Sequence, residues 1–165
     1  MSETSQQQPL TPAKRKFLAV VDETEECKVA LRFAARRAQH TNGLVSLLYV
    51  IAPADFQQWA GVERKMREEA REEAERALHE AARIVNDIVG TTPEFVIREG
   101  RASDEIRALI RDDRAISILV LAAGLSKEGP GPLVSLIAGP TGNAYSIPVT
   151  VVPGNLSDEQ VDALA

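Results

Sequence analysis

The sequence predicts an α/β fold, a doubly wound parallel sheet of five strands with helices on both faces. Five short apolar runs, rich in β-branched and aliphatic residues, are spread along the chain. A helical pattern separates every pair of them, as it must where parallel strands are joined by crossover helices. The fourth run, ISILVLA (116–122), is apolar apart from Ser117, which fits a strand covered on both faces. Right-handed crossovers then distribute the helices over the two faces.

The elements follow in order. Residues 1–13 are rich in Ser, Thr, Gln and Pro and predict a disordered tail. KFLAVV (16–21) is the first strand. Asp22 and Thr24 then lead into a helix with Cys27, Ala30, Leu31, Ala34 and Ala38 on one face. Asn42-Gly43 ends that helix. LVSLLYVI (44–51) is the second strand, and a loop containing Trp59 follows it. Residues 62–89 read as one long helix, with Val62, Met66, Ala70, Ala74, Leu78, Ala81 and Val85 spaced by threes and fours. EFVIR (94–98) is the third strand, and DEIRALIRDD (104–113) is a short helix after Gly100 and Ser103. Residues 133–137 suggest another short helix. PVTVV (148–152), bounded by Pro148 and Pro153, is a fifth strand suited to the sheet edge. In the last segment Ser157 can cap and Gln160 can reciprocate, which predicts a short terminal helix within 154–165.

The composition narrows the function. At 165 residues the chain is one domain, with 44% hydrophobic residues to build a core. Its net charge is −5, which argues against a general nucleic-acid binder, since that needs a basic face. One cysteine makes neither a disulfide framework nor a zinc cluster. No run reaches membrane-spanning length and no apolar signal core opens the chain, so a cytoplasmic protein without membrane attachment is expected. His40 and His79 stand apart with no ligand-spaced neighbours, and no metal is expected. Walker, nucleophile-elbow and zincin motifs are absent, and no catalytic constellation is visible.

In such folds ligands bind beyond the carboxyl ends of the strands, where strand order reverses. Two loops stand out there: Asp22-Glu23-Thr24 after the first strand, and AGLSKEGPGP (123–132) after the fourth. Asp22 has two readings. With Glu25 three residues on, it makes a capping-box pattern; alternatively its carboxylate accepts from a ligand hydroxyl or amine. The glycine-rich loop is either a phosphate cradle built from backbone N–H groups or a rigid strand-to-helix connection.

KFLAVVDETEECKVAL, IREGRASDEI and IPVTVVPG together resemble the universal stress protein family, over about residues 16–153. The resemblance implies a sheet in the order 3-2-1-4-5 and a regulatory role in the stress response. It also implies ATP or another adenine nucleotide at the carboxyl ends of strands 1, 2 and 4. Asp22 and Glu23 then face the nucleoside, and Val50 lies beside the base. Nucleotide-binding members carry Gly-x2-Gly-x9-Gly-[Ser/Thr] between strands four and five. Anchored on Gly139, the second glycine falls on Gly129, but the first falls on Ser126, and Pro140 follows Gly139. Pro140, Pro130 and Pro132 each remove an N–H donor. A phosphate site would have to be rebuilt from the N–H groups of Gly129, Gly131, Thr141, Gly142 and Asn143, the Thr141 hydroxyl and the Lys127 ammonium, and the candidate nucleotide-binding residues of this region are Ala123, Gly124, Gly129, Gly139, Thr141 and Gly142. A second reading is therefore a nucleotide-free dimeric interaction protein that has lost the phosphate loop; a third, slow nucleotide hydrolysis, lacks an evident base. The family's dimers often pair through the last strand, which implies a homodimer through 148–152 here.

Overall fold

The computed structural model of the chain describes residues 13–53, 60–139 and 145–165. The elements run β1 (Lys16–Val20), α1 (Glu25–Thr41), β2 (Leu44–Ile51), α2 (Ala60–Val89), β3 (Glu94–Glu99), α3 (Ala102–Asp112), β4 (Ile116–Ala123), α4 (Pro132–Ala138), β5 (Val149–Pro153) and α5 (Asp158–Leu164). The strands form one five-stranded sheet, order β3-β2-β1-β4-β5. Every neighbouring pair is parallel. Fold and strand order are those predicted, with element ends shifted by one or two residues. The expected tail (except Ala13), Trp59, Pro140, Thr141 and Gly142 lie outside the described residues.

Strand alternation sorts the side chains to two faces. Phe17, Ala19, Val45, Leu47 and Val120 pack with Leu31, Ala34, Leu78 and Val85 of α1 and α2. Leu18, Leu48, Leu119 and Leu121 pack with Ile106, Leu109 and Ile110 of α3 and with the half-buried Leu133, Val134 and Ile137 of α4. Burying a leucine such as Leu18 or Leu119 contributes roughly 1.5–3 kcal/mol, and both are fully buried. The face of α1 toward the sheet is mostly alanine, at Ala30, Ala34, Ala35 and Ala38, so the helix can lie close to β1. β4 shifts register once. Lys16 pairs with Ile116 but Phe17 with Ile118. The extra residue, Ser117, lets Ile116 share a face with Leu119 and Leu121.

Local chemistry sets the ends of α1. Its cap is Thr24, whose hydroxyl accepts from the Cys27 N–H at 3.3 Å. This corrects the reading of Asp22 as the cap. Asp22 Oδ1 instead accepts from the Thr24 N–H at 2.9 Å and hydroxyl at 2.5 Å, so it holds the capping residue in place. Asn42, at φ 52°, takes the left-handed position that ends the helix.

The terminal helix forms as the capping pattern predicts. Ser157 Oγ accepts from the Gln160 N–H at 3.2 Å, and Gln160 Oε1 accepts from the Ser157 N–H at 2.9 Å. α5 lies on α1 with Val161 fully buried. Arg32 donates to both oxygens of Asp162 at 2.8 and 2.7 Å, and Arg36 Nε donates at 2.9 Å. These two guanidinium groups hold the Asp162 carboxyl well below the usual carboxylate range.

Candidate functional site

β1 leads into α1 on one face of the sheet, and β4 leads into α4 on the other. Their carboxyl ends are therefore the switch point where a crevice opens. A cleft of about 230 Å³ lies there, floored by Val20, Leu121 and Ala122. Asp22, Thr24 and Glu26 form one wall, and the loop from Gly124 to Pro132 forms the other.

The loop is closed upon itself. The Gly124 N–H donates to Pro130 O at 3.0 Å, and the Gly129 N–H donates to Ser126 O at 3.1 Å. Ser126 Oγ accepts from the Glu128 N–H at 3.3 Å. A side chain on Gly124 would press on Gly129 O, 3.2 Å from its Cβ. Gly129 and Gly131 have φ of +100° and +101°, conformations that only glycine adopts cheaply. These three glycines thus serve the loop's own shape.

Glu26 completes the closure. It stands in the first turn of α1, and its Oε1 accepts from the Leu125 N–H at 3.3 Å. Its own backbone N–H and that of Leu125 hold its carboxyl below the usual range, as expected for an anion at a helix N-terminus. A carboxylate of the protein therefore occupies a donor that a bound phosphate could have used. Gly154 makes this contact possible. A Cβ there would strike Glu26 Cγ and lie 2.7 Å from Ala123 O.

A second cleft, of about 240 Å³, lies on the other side of the β1–α1 turn, between α1 and α2. Glu23, Glu25, Glu73 and Glu80 line it, opposed by Lys28 and Arg76. Cys27 borders both clefts but is buried. Burial pushes its thiol up to about 11, and Sγ–H points to Val20 O at 3.7 Å. It is not a nucleophile at neutral pH. Among the described residues no group of three His, Cys, Asp or Glu side chains could hold a metal ion, and no helix is long and apolar enough to cross a membrane.

The structure brings Asp22, Gly124 and Gly129 together around the first cleft. Glu23 turns into the second. Val50 packs on the α3 side of the sheet and does not line either. Ala123 is engaged through its carbonyl, which accepts from the Gly154 N–H at 3.1 Å. Gly139 sits at the far end of α4 as its C-cap, with an ordinary φ of −85°. Sequence reasoning missed Glu26 and Gly154. The signal for Glu26 was available, because it follows Asp22 by one helical turn at the mouth of α1.

The profile of the universal stress protein family matches residues 14–153. A universal stress protein of Mycolicibacterium smegmatis is 31% identical over 145 residues, covering 84% of this chain and 48% of that protein. The chain thus spans about half the length of this relative. Among solved structures, universal stress protein UspA from Lactobacillus plantarum superposes with a TM-score of 0.71 at 18% identity, covering 85% of this chain and 98% of that one. A universal stress family protein from Arabidopsis thaliana with AMP bound superposes with a TM-score of 0.58 at 17% identity, covering 88% and 94%. The doubly wound sheet, its switch-point cleft and the match over nearly all of the described chain lead to one conclusion: the protein belongs to the universal stress protein family.

Proposed function

We propose that this chain is a non-enzymatic regulatory protein of the universal stress type, whose switch-point cleft takes an adenine nucleotide carrying one phosphate in preference to ATP. The observation that carries this reading is the Glu26 carboxylate on the Leu125 N–H. A triphosphate laid along the loop would meet that fixed negative charge. It would also find the N–H groups of Gly124, Glu128 and Gly129 already bonded within the loop. The Gly131 N–H and the Lys127 ammonium make no hydrogen bond among the described residues and could serve a single phosphate. The apolar floor of Val20, Leu121 and Ala122 suits the nucleoside, with Asp22 at its edge as acceptor. The neighbour with AMP bound supports the same ligand class.

Calorimetric titration tests this. AMP is expected to bind more tightly than ATP, and Glu26→Gln should narrow the gap by raising ATP affinity. ATP binding more tightly than AMP to the natural chain would overturn the preference. Binding of neither would leave the nucleotide-free interaction protein, which the self-bonded loop also favours.

For assembly we propose a homodimer through β5. This strand pairs only with β4 among the described residues, leaves Val151 exposed, and so presents an open edge that a second copy can cover. Light scattering should give twice the mass of the chain, and Thr150→Pro should lower it. A monomer at micromolar concentration would sink the idea.

A further inference from the structure

The opposite end of the sheet has a different character. A cavity of about 550 Å³ opens there between α3 and the segment that enters β5. Arg107, Arg111 and Arg114 line one side of it, and Tyr145 and Ser146 line the other; isoleucines form its floor, Ile116 and Ile147 among them. Among the described residues no carboxylate lines it, in a chain whose net charge is −5.

The polar groups here lack partners in a way the fold does not require. Arg107 reaches Asp104 through Nη1 at 3.6 Å, but its Nε is buried with no hydrogen-bond partner. The Tyr145 hydroxyl is likewise buried and unpartnered. Burial keeps that phenol protonated by pushing its pKa up, so it remains a donor. Arg111 and Arg114 form no ion pair among the described residues, whereas Arg98 of the same face is paired with Asp112 at 3.3 Å. A buried donor without an acceptor is destabilising. Two of them, beside two unpaired guanidinium groups, call for a ligand that only accepts. A phosphate does so, and planar guanidinium forks fit its oxygens. The isoleucine floor then suits an apolar or aromatic body attached to that phosphate.

We propose that this cavity is a binding site for a phosphate monoester with an apolar or aromatic body. The phosphate sits among Arg107, Arg111, Arg114 and the Tyr145 hydroxyl, and the body lies on Ile116 and Ile147. The site is independent of the switch-point cleft, because the two share no residue.

The test titrates phenyl phosphate and inorganic phosphate into the full chain, followed by calorimetry and by backbone amide NMR. Phenyl phosphate should bind saturably and more tightly than inorganic phosphate, shifting the amides of Tyr145, Ser146 and Ile147. The double variant Arg111→Ala/Arg114→Ala removes exposed side chains and should leave the fold intact, yet weaken binding by about tenfold or more. Tyr145→Phe should weaken it by a few-fold. Arg83→Ala, which removes one charge from the exposed face of α2, should change nothing. Absence of saturable binding at millimolar phenyl phosphate overturns the proposal. So does equal weakening by Arg83→Ala and by the double variant, which would mean diffuse attraction. Amide shifts confined to residues 124–131 would also overturn it, by placing the phosphate in the switch-point cleft.

Discussion

The two ends of the sheet handle charge in opposite ways. At the carboxyl end, where this fold binds its ligands, the walls are rich in carboxylates, and the N–H groups of Gly124, Leu125, Glu128 and Gly129 bond within the protein. At the amino end, three arginines and a tyrosine converge with donors left over. One further contact there is satisfied: Lys16 Nζ donates to Asp113 Oδ2 at 2.6 Å and to Glu94 Oε2 at 3.0 Å, fixing β1 to β3 and to the end of α3. Asp113 and Lys16 each favour the other's charged form, and their pKa values move apart accordingly. The comparison teaches that fold position and binding capacity are separate matters. Topology dictates where a crevice opens. Whether it attracts anions depends on where the donors point and whether they are free.

The largest expected effect comes from breaking the closure of the carboxyl end. Gly154→Val would drive a side chain into Glu26 Cγ and against Ala123 O, which is backbone and cannot move aside cheaply. Overpacking of this kind costs about 3 kcal/mol, measurable as a lower midpoint in urea unfolding monitored by circular dichroism. The same variant should loosen the loop by pulling Glu26 off the Leu125 N–H. A cost well under 1 kcal/mol, on the scale set for surface substitutions, would show that Glu26 swings away freely and does not latch the loop.

Much of this architecture was legible in the sequence. The central strands declared themselves because burial on both faces demands nearly continuous apolar runs, as in ISILVLA, where Ser117 alone is polar. α5 declared itself through Ser157 and Gln160, since a capping box is a local device. The site was less legible, for a physical reason. Asp22 reads as a cap from spacing alone, but the carboxylate bonds to Thr24 and lets Thr24 cap instead. Glycine counting suggested a cradle, yet a loop's N–H groups bind a ligand only if they have no partner within the protein. The bond from Gly124 to Pro130 closes the loop on itself, and the bond from Leu125 to Glu26 depends on three-dimensional closure between the loop after β4 and the start of α1. The arginine cavity was invisible for the same reason, since Tyr145 meets α3 only in the folded chain.

The smallest effect at neutral pH belongs to Cys27, and it tests how well the carboxyl end is sealed. The thiol borders both clefts but is 3% exposed. Its folded-state pKa is raised to about 11, against about 8.5 in an unfolded chain. Below about 8.5 both states carry the proton, so the thiol adds no pH dependence there. Between that value and about 11 the folded state holds the proton longer. Stability should therefore fall as pH rises through that window, and not before it. Labelling with a disulfide reagent at pH near 7.5 should be slow, and should accelerate in urea in step with global unfolding. Labelling of the native protein at the rate of a free thiol would mean that the Glu26–Leu125 closure opens often enough to admit the reagent. The contrast between a closed carboxyl end and an open amino end would then be one of populations, and the proposed preference for one phosphate over three would weaken with it.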